Sequence, residues 1–578
     1  MRKKHVLRAV SLFCTAAVGF SFSAPVSASA AETASDAFDS LADDLYWGIL
    51  ELMPSNLHFY QSSTDNLPFD LTNPLGAFTE EAVEEQALID QFSERLNAIS
   101  FNDLDSHQKK VYRSIRWFLD CEAQSLALPD YASTLGPMGG LLTSTNTVMT
   151  EYYLRNDEDI QNYIAMLNDI PRFLNDILLE IDYQETLGIA PSAYAYSEAL
   201  SKKDGLTSIE EHPYLNAFIS NIAEAGLSDE AVSSYISQVS SILTDTIIPA
   251  YQNFFAALET KSQTAGESRG LCGYDQGLNY YEALIRANTG SDMSADAMFD
   301  YLESKIADDI IAMSEIYYRN PSAVKAADAI EVPTTDPEEI LSLLEEKTLE
   351  LFPEIDNRDF QLSYLPKTLE QSNTLAYYMS PPSDLLSRNV IRVNGSAIGS
   401  DAAMLWTTLS HEGFPGHLYQ TQYTRQYVSA YPLEALLSCT GTSEGWAFYV
   451  ERMSLDWAGV DEDTADIYWY NSSINMALSA LVDIGVNAKD WTNEDIASFL
   501  SDYLSGITAD SCQSLYDTVA NDPGAYLPYA FGYYQMVDLF DTISPDYSSE
   551  SAMYRAFLNV STLPLSLVNN YLITDGSI

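Results

Sequence analysis

Apolar residues recur at helical spacing along most of this chain, with polar and acidic residues between them. Five segments keep this pattern over several turns and each predicts a helix: 82–97, 105–128, 147–181, 228–258 and 293–318. In the last of these, Ser294 stands where a helix N-cap is expected, directly before the periodic run. The pattern therefore predicts a mainly α fold.

Two short segments alternate in the manner of β-strands, at 360–364 and 389–394. They predict a small β-sheet. Single hydrophobic cores stop growing at about 250–300 residues, so 578 residues predict a large, cleft-forming helical fold. No change of composition marks an internal boundary, and we expect one domain over 31–578 that is divided into two lobes or into subdomains.

The N-terminus has the features of a cleaved secretory signal. Basic residues (Arg2, Lys3, Lys4, Arg8) precede an uncharged apolar run at 9–22, and small residues follow at 28–30. The alternative of a membrane anchor is disfavoured because the apolar run is shorter than the roughly 20 residues a span needs. A lipoprotein signal at Cys14 fits poorly, since Phe13 precedes it. We predict removal of residues 1–30, a secreted or cell-surface protein, and no stable membrane insertion after cleavage.

Acidic residues far outnumber basic ones, 83 to 28, which gives a formal charge of −55. Such a surface repels nucleic acid and anionic membranes. A hydrophobic content of 46% still predicts a packed core. Four cysteines follow the signal without a CxxC spacing, which argues against a zinc ribbon and leaves one or two disulfides open. The oligomeric state is not determined by these features.

A short segment carries the strongest chemical signal. Many zinc peptidases place two histidines at i and i+4 on a helix, with a glutamate beside the first as general base. Here His411 and Glu412 are adjacent, but Pro415 occupies i+4 and the second histidine, His417, comes at i+6. On a regular helix these two histidines differ by about 240° around the axis. Because Gly413 and Pro415 disfavour a regular helix, we expect a two-residue bulge that returns His417 to the face of His411.

The third metal ligand is expected downstream. Glu444 and Glu451 are seven residues apart, so both can face the same side of one helix. We predict Glu444 as the third ligand and Glu451 as the residue that orients a ligand or water. Two histidines and one glutamate favour one Zn²⁺ per chain, although manganese or cobalt would also suit such ligands.

Further residues complete a predicted hydrolytic site. Glu412 is expected to take a proton from the attacking water. Tyr529 is the candidate donor to the oxyanion, with Tyr533 as the second choice. Arg392 and Asn394, on the predicted strand, could hold a substrate carboxylate or backbone.

Each of these residues also has an ordinary structural interpretation. The two histidines could form a turn without a metal, and the two glutamates could lie on a solvated helix face of an acidic chain. One tyrosine among 38 is more often a packing residue than a catalytic one. Arg392 and Asn394 could be ordinary strand residues.

Several motifs resemble those of a bacterial family catalogued as domain of unknown function 885. His411-Glu-Gly-Phe-Pro-Gly-His417 resembles its HEGxPGH signature, and Glu444-Gly-Trp-Ala447 resembles its EGWA element. Weaker similarities lie at 270–281, 529–532 and 563–565. That family is similar to helical zinc peptidases of the thermostable carboxypeptidase and thimet oligopeptidase type. The resemblance implies a helical fold with a deep cleft, His411, His417 and Glu444 as ligands, and Glu412 as base.

These observations predict a secreted zinc-dependent peptidase that hydrolyses short peptides, since a deep cleft would exclude folded proteins. Two alternatives remain open. The same ligands could serve a zinc hydrolase of a non-peptide amide or ester, or the chain could be a non-catalytic extracellular binding protein that retains the fold. The presence of Glu412 argues against the last, because a binding protein needs no base beside its metal ligands.

Overall fold

The computed structural model describes residues 33–76, 82–365, 374–399 and 401–573. Helices dominate these residues and a small sheet accompanies them, so the predicted mainly α fold is confirmed. The predicted signal at 1–30 lies outside the described residues. Within the described part of the chain, no helix combines the length and the apolar character that crossing a bilayer requires.

The helices and strands follow one another in three groups. The first group is α1 (Ala34–Leu52), α2 (Leu57–Tyr60), α3 (Ala82–Ala98), α4 (Ser106–Leu126), α5 (Leu141–Thr150), α6 (Asp157–Leu187), α7 (Ala193–Ser201), α8 (Lys203–Leu206), α9 (Pro213–Asn221), α10 (Asp229–Ile242) and α11 (Ile248–Ser262). The second is α12 (Gly277–Thr289), α13 (Ala295–Arg319), α14 (Pro321–Ala327), α15 (Pro337–Leu351), β1 (Phe360–Tyr364), β2 (Ala376–Met379) and β3 (Asn389–Val393). The third is α16 (Ala402–Glu412), α17 (His417–Tyr423), α18 (Thr440–Trp457), α19 (Glu462–Lys489), α20 (Asn493–Ser501), α21 (Ala509–Asn521), α22 (Leu527–Ile543), α23 (Glu550–Leu558) and α24 (Leu565–Ile573).

Four of the five predicted helical segments coincide with helices, and the fifth is wrong in part. The predicted helix at 147–181 is two helices, because α5 ends at Thr150 and α6 begins at Asp157. The side chain of Asn156 caps α6 by accepting a hydrogen bond from the backbone N–H of Asp159 at 3.0 Å. The predicted N-cap at Ser294 is confirmed, since its side chain accepts from the N–H of Ala297.

The sheet has the strand order β1-β3-β2. β1 pairs parallel with β3, and β2 pairs antiparallel with it. The alternation predicts β1 and β3 correctly but does not indicate β2, which has four residues and lies at an edge of the sheet. A strand so short has too few positions to show a period.

The hydrophobic interior is divided into three main clusters. The largest joins the helices from α12 onward with the sheet. The second lies among α5 to α11, and the third joins α1, α3 and α4 with residues 433–437. The prediction of two lobes or subdomains stays a prediction. The four cysteines at 121, 272, 439 and 512 form no disulfides.

Helices α18 and α22 approach each other closely at two glycines. A Cβ on Gly445 would lie 2.5 Å from the carbonyl of Gly532, and a Cβ on Gly532 would lie 2.4 Å from the carbonyl oxygen of Gly441. Only glycine permits such a backbone contact. The contact brings Glu444 of α18 beside the first turn of α22, which carries Tyr529.

Candidate metal centre

The segment between the two histidines breaks the helix completely. α16 ends at Glu412 and a new helix begins at His417, so the departure predicted from a regular helix takes the form of a break between two helices. The backbone N–H of Gly416 donates to the carbonyl of Ser410 at 3.0 Å. A Cβ on Gly416 would lie 1.8 Å from the carbonyl oxygen of His411. This tight loop turns His417 back toward His411. The two-residue bulge was expected to have the same effect.

Three side chains converge where the sequence predicts the metal. Oε2 of Glu444 lies 3.3 Å from Nε2 of His411 and 3.4 Å from Nε2 of His417. Ligands at about 2.0–2.2 Å from one tetrahedral ion are about 3.3–3.6 Å apart, so the observed spacing fits a shared ion. Within the described part of the chain, buried Oε2 of Glu444 makes no hydrogen bond. His411, His417 and Glu444 can therefore hold one metal ion.

Neighbouring side chains orient both imidazoles. Oε1 of Glu451 lies 2.8 Å from Nδ1 of His411, and Oγ of Ser443 lies 3.3 Å from Nδ1 of His417. When Nδ1 of His411 donates to the carboxylate of Glu451, Nε2 keeps its lone pair for a metal. Glu444 and Glu451 are both on α18 and face the same side, as their spacing predicts.

Glu412 lies beside the three candidate ligands. Its Oε2 accepts a hydrogen bond from the backbone N–H of Tyr378 on β2 at 2.8 Å. Its Oε1 lies 3.9 Å from Nε2 of His411. Burial raises the pKa of Glu412 above its ordinary value. The edge strand thus holds one carboxylate oxygen and leaves the other directed toward the centre, as a general base requires.

The histidines and glutamates of the site shift one another's pKa values. Burial lowers the pKa of His411, but the nearby carboxylates of Glu444 and Glu451 outweigh it and raise the pKa well above 6.5. Burial raises the pKa of Glu444, but the imidazoles of His417 and His411 outweigh it and hold that pKa far below its usual range. The carboxylate of Glu444 is therefore ionised, which is the form that binds a cation.

Of the two candidate tyrosines, Tyr529 lines the cleft at the centre. The negative charge of Glu444, followed by burial, raises the pKa of Tyr529 well above 10, so its phenol stays protonated and can donate. Tyr533, one turn further along α22, packs its ring edge-on against Trp469 at 5.5 Å and against Phe448 at 6.1 Å. Tyr533 is not among the residues that line the cleft.

The predicted substrate residues on β3 have partners within the protein. The guanidinium of Arg392 binds Oε2 of Glu151 at 3.2 Å and also donates to Ser363 and Asn221. Asn394 is buried, and its amide donates to the carbonyl of Thr374. Neither Arg392 nor Asn394 is among the residues that line the cleft, whereas Glu151 is. Their role in holding substrate stays a prediction.

The candidate metal centre lies in a cleft of about 1040 Å³, near the upper end of the volumes usual for ligand sites. Residues from all three hydrophobic clusters or their neighbours form its walls: residues 56–60, the end of α5, β2 with the loop to 386, α16 with α17, residues 429–438, and Tyr529. Among the described residues that line it, Arg425 is the one lysine or arginine.

Two contributors to the cleft are absent from the sequence predictions. Tyr378 acts through its backbone N–H, which carries no residue-specific signal. Arg425 lies eight residues after His417, and a cation so near the motif in a strongly acidic chain could have drawn attention to it. Both depend on contacts between segments that are distant in the sequence.

The profile of a family described as "Bacterial protein of unknown function (DUF885)" matches residues 72–557. The chain belongs to this family. The match confirms the first part of the resemblance seen in the sequence. No match was found among curated proteins. The similarity to zinc peptidases has no support in these comparisons and remains a hypothesis.

Two solved structures share the fold of this DUF885 protein. A candidate lipoprotein from Colwellia psychrerythraea superposes with a TM-score of 0.79 at 18% identity, over 94% of this chain and 99% of that one. A candidate lipoprotein of unknown function from Shewanella oneidensis gives 0.64 at 15% identity, over 94% and 100%. At such identities the likeness concerns the fold alone.

Proposed function

We propose that this protein is a zinc-dependent peptidase that hydrolyses short peptides outside the cytoplasm. The observation that carries the proposal is the convergence of His411, His417 and Glu444, with Glu412 beside them, at the wall of a large cleft. A purely structural cluster would not need the carboxylate of Glu412 with one oxygen facing the ligands. A peptidase needs that carboxylate as a base.

Zinc, when bound by His411, His417 and Glu444, would act as a Lewis acid toward the scissile carbonyl and lower the pKa of water. Glu412 takes a proton from the attacking water through Oε1, because Tyr378 occupies Oε2. The water oxygen forms a bond to the carbonyl carbon. Glu412 then returns the proton to the amide nitrogen as the carbon–nitrogen bond breaks.

Tyr529 supplies the hydrogen-bond donor for the developing oxyanion. Its pKa is raised, so it donates without losing its own proton. A preformed donor of this kind contributes most in a buried site, where water cannot compete. Tyr533 is directed into aromatic packing and is assigned no part in the chemistry.

The proposed substrates and location follow from the cleft and the N-terminus. A cleft of about 1040 Å³ admits an extended peptide more readily than a folded domain. The basic, apolar and small-residue order at residues 1–30 supports export. The acidic surface disfavours nucleic acid as a partner.

The first test is the metal content of the protein without residues 1–30, measured by mass spectrometry beside His417→Ala. We expect about one zinc per parent chain and a large loss in the variant. His107→Ala is the matched control, because His107 binds Glu434 away from the candidate ligands. Absence of zinc from the parent after supplementation would refute the metal-dependent reaction.

The second test is digestion of a random peptide library, with Glu412→Gln as the control. We expect cleavage by the parent and a loss of about 100-fold or more in the variant, since general base catalysis contributes about 10²–10⁴-fold. The same panel includes amide and ester substrates without a peptide backbone. Turnover of these alone would replace the peptidase by the other zinc hydrolase considered above.

A further inference from the structure

Arg425 stands out among the charged residues of the cleft wall. It lies on the helical turn Thr424–Val428, which continues directly from α17. Its Nη1 donates to the carbonyls of Pro381 at 2.6 Å and Pro382 at 3.2 Å. Within the described part of the chain, no carboxylate pairs with Arg425, and Nε and Nη2 have no protein partner. The guanidinium is held in place with two donors still available.

The acids around the same cleft have partners, by contrast. The carboxylate of Asp384 accepts from the N–H of Ser62 at 3.0 Å and from its hydroxyl at 2.5 Å. Glu151 is bound by Arg392, and Glu434 by the backbone at 430 and 431. Outside the metal centre, these acids thus have donors within the protein, whereas the guanidinium of Arg425 keeps two donors without a protein acceptor. A guanidinium with two free donors matches a carboxylate on a ligand.

Two paths along the backbone set upper limits on the distance between Arg425 and the reacting atoms. Arg425 follows His417 by eight helical residues, a rise of about 12 Å. Tyr378, which binds Glu412, precedes Pro381 by three residues, a span of at most about 10 Å. An extended peptide advances about 3.3–3.6 Å per residue, so these limits correspond to two or three residues of substrate.

We propose that Arg425 binds the C-terminal carboxylate of the peptide substrate, two or three residues beyond the bond that is cleaved. The inference rests on the proposed peptidase function and specifies its substrate class. The protein would then release dipeptides or tripeptides from the free C-termini of short peptides. Arg392, which the sequence favours for this task, is instead engaged with Glu151.

The test uses two pools of N-acetylated random hexapeptides, one with free C-terminal carboxylates and one with C-terminal amides. We expect the zinc-loaded parent to cleave the carboxylate pool about 10- to 100-fold faster, as befits a charge-assisted hydrogen bond. Mass spectrometry should show released fragments of two or three residues. Equal cleavage of both pools, or release of single amino acids, would overturn the proposal.

Substitutions of Arg425 test whether this residue causes the preference for free C-terminal carboxylates. Arg425→Gln should remove the preference for the carboxylate pool, mainly through KM, whereas Arg425→Lys should keep part of it because the charge remains. Arg319→Gln is the matched control, since Arg319 is exposed and pairs with Asp463. Thermal unfolding of each variant confirms that the turn at 424–428 is intact. A preference that survives in folded Arg425→Gln would refute the assignment.

A binding measurement separates this inference from the proposed function. The immobilised Glu412→Gln variant is offered both pools, and the retained peptides are compared with those retained by the double variant Glu412→Gln, Arg425→Gln. Retention of the carboxylate pool that depends on Arg425 supports the carboxylate site even if the parent hydrolyses nothing. Cleavage of both pools with no dependence on Arg425 would leave a peptidase without this specificity.

Discussion

Glu451 offers the sharpest test of how the metal ligands are positioned. Its carboxylate lies 2.8 Å from Nδ1 of His411 and is largely buried. Glu451→Ala would leave that imidazole N–H without its partner and the ring free to rotate. Glu451→Gln would keep an acceptor oxygen in the same place but remove the charge.

The expected magnitude follows from the contact. A hydrogen bond to a charged group contributes about 1.5–3 kcal/mol, which corresponds to about 10- to 100-fold in an equilibrium constant. Residues that orient metal-binding histidines usually change metal affinity by the same factor. We therefore expect zinc affinity to fall about 100-fold in Glu451→Ala and about 10-fold in Glu451→Gln.

The assay is competition for zinc between the protein and a chromophoric chelator. Asp456→Asn is the matched control, since Asp456 lies on the same helix, is exposed and pairs with Arg452. Asp456→Asn also removes one negative charge from this helix, but at a residue outside the candidate metal centre. Zinc affinity of Glu451→Ala equal to that of the parent would show that His411 needs no partner, and the assigned orientation of the ligand would be wrong.

Three further results are expected. Tyr529→Phe should lower kcat about 100-fold or more with little change in KM, whereas Tyr533→Phe should leave kcat near that of the parent. Gly445→Ala should lower the free energy of unfolding by about 1–3 kcal/mol in denaturant titration, because its Cβ would meet Gly532 at 2.5 Å. Burial raises the pKa of Asp483 to about 7, so its contribution to stability is present below pH 3.8 and is lost as pH rises through about 7. Asp483→Asn should remove that loss, at most about 4 kcal/mol between these limits.

Each result has an outcome that contradicts it. Equal kcat values for the two tyrosine variants would remove the assigned donor. Unchanged stability of Gly445→Ala would mean that α18 and α22 can separate without cost. A stability difference between Asp483→Asn and the parent that does not vary between pH 4 and pH 7 would mean that this carboxyl titrates normally in the folded protein.

Local features were readable from the sequence because their physics is local. The helical period reports which face of a helix is apolar, and it located α3, α4 and α13 closely. The seven-residue spacing of Glu444 and Glu451 placed both on one face of α18 for the same reason. The unusual spacing of His411 and His417 already required a departure from a regular helix.

The form of that departure depended on tertiary structure. Whether the chain bulges or breaks is decided by the close contact of Gly416 with the backbone of His411. The choice between Tyr529 and Tyr533 depended on the closeness of α18 and α22 at Gly445, since both tyrosines are on one helix and only one faces the cleft.

Charge placement in the cleft was the least predictable feature. Arg392 was the sequence's candidate for a substrate carboxylate, but the fold brings Glu151 against it from a segment more than 200 residues away. Arg425 is held on the cleft wall because its guanidinium donates to the carbonyls of Pro381 and Pro382. The sequence by itself determined which residue types and helix faces could build a metal centre. Only the tertiary structure decided which charges remain available, because pairing between distant segments has no local period.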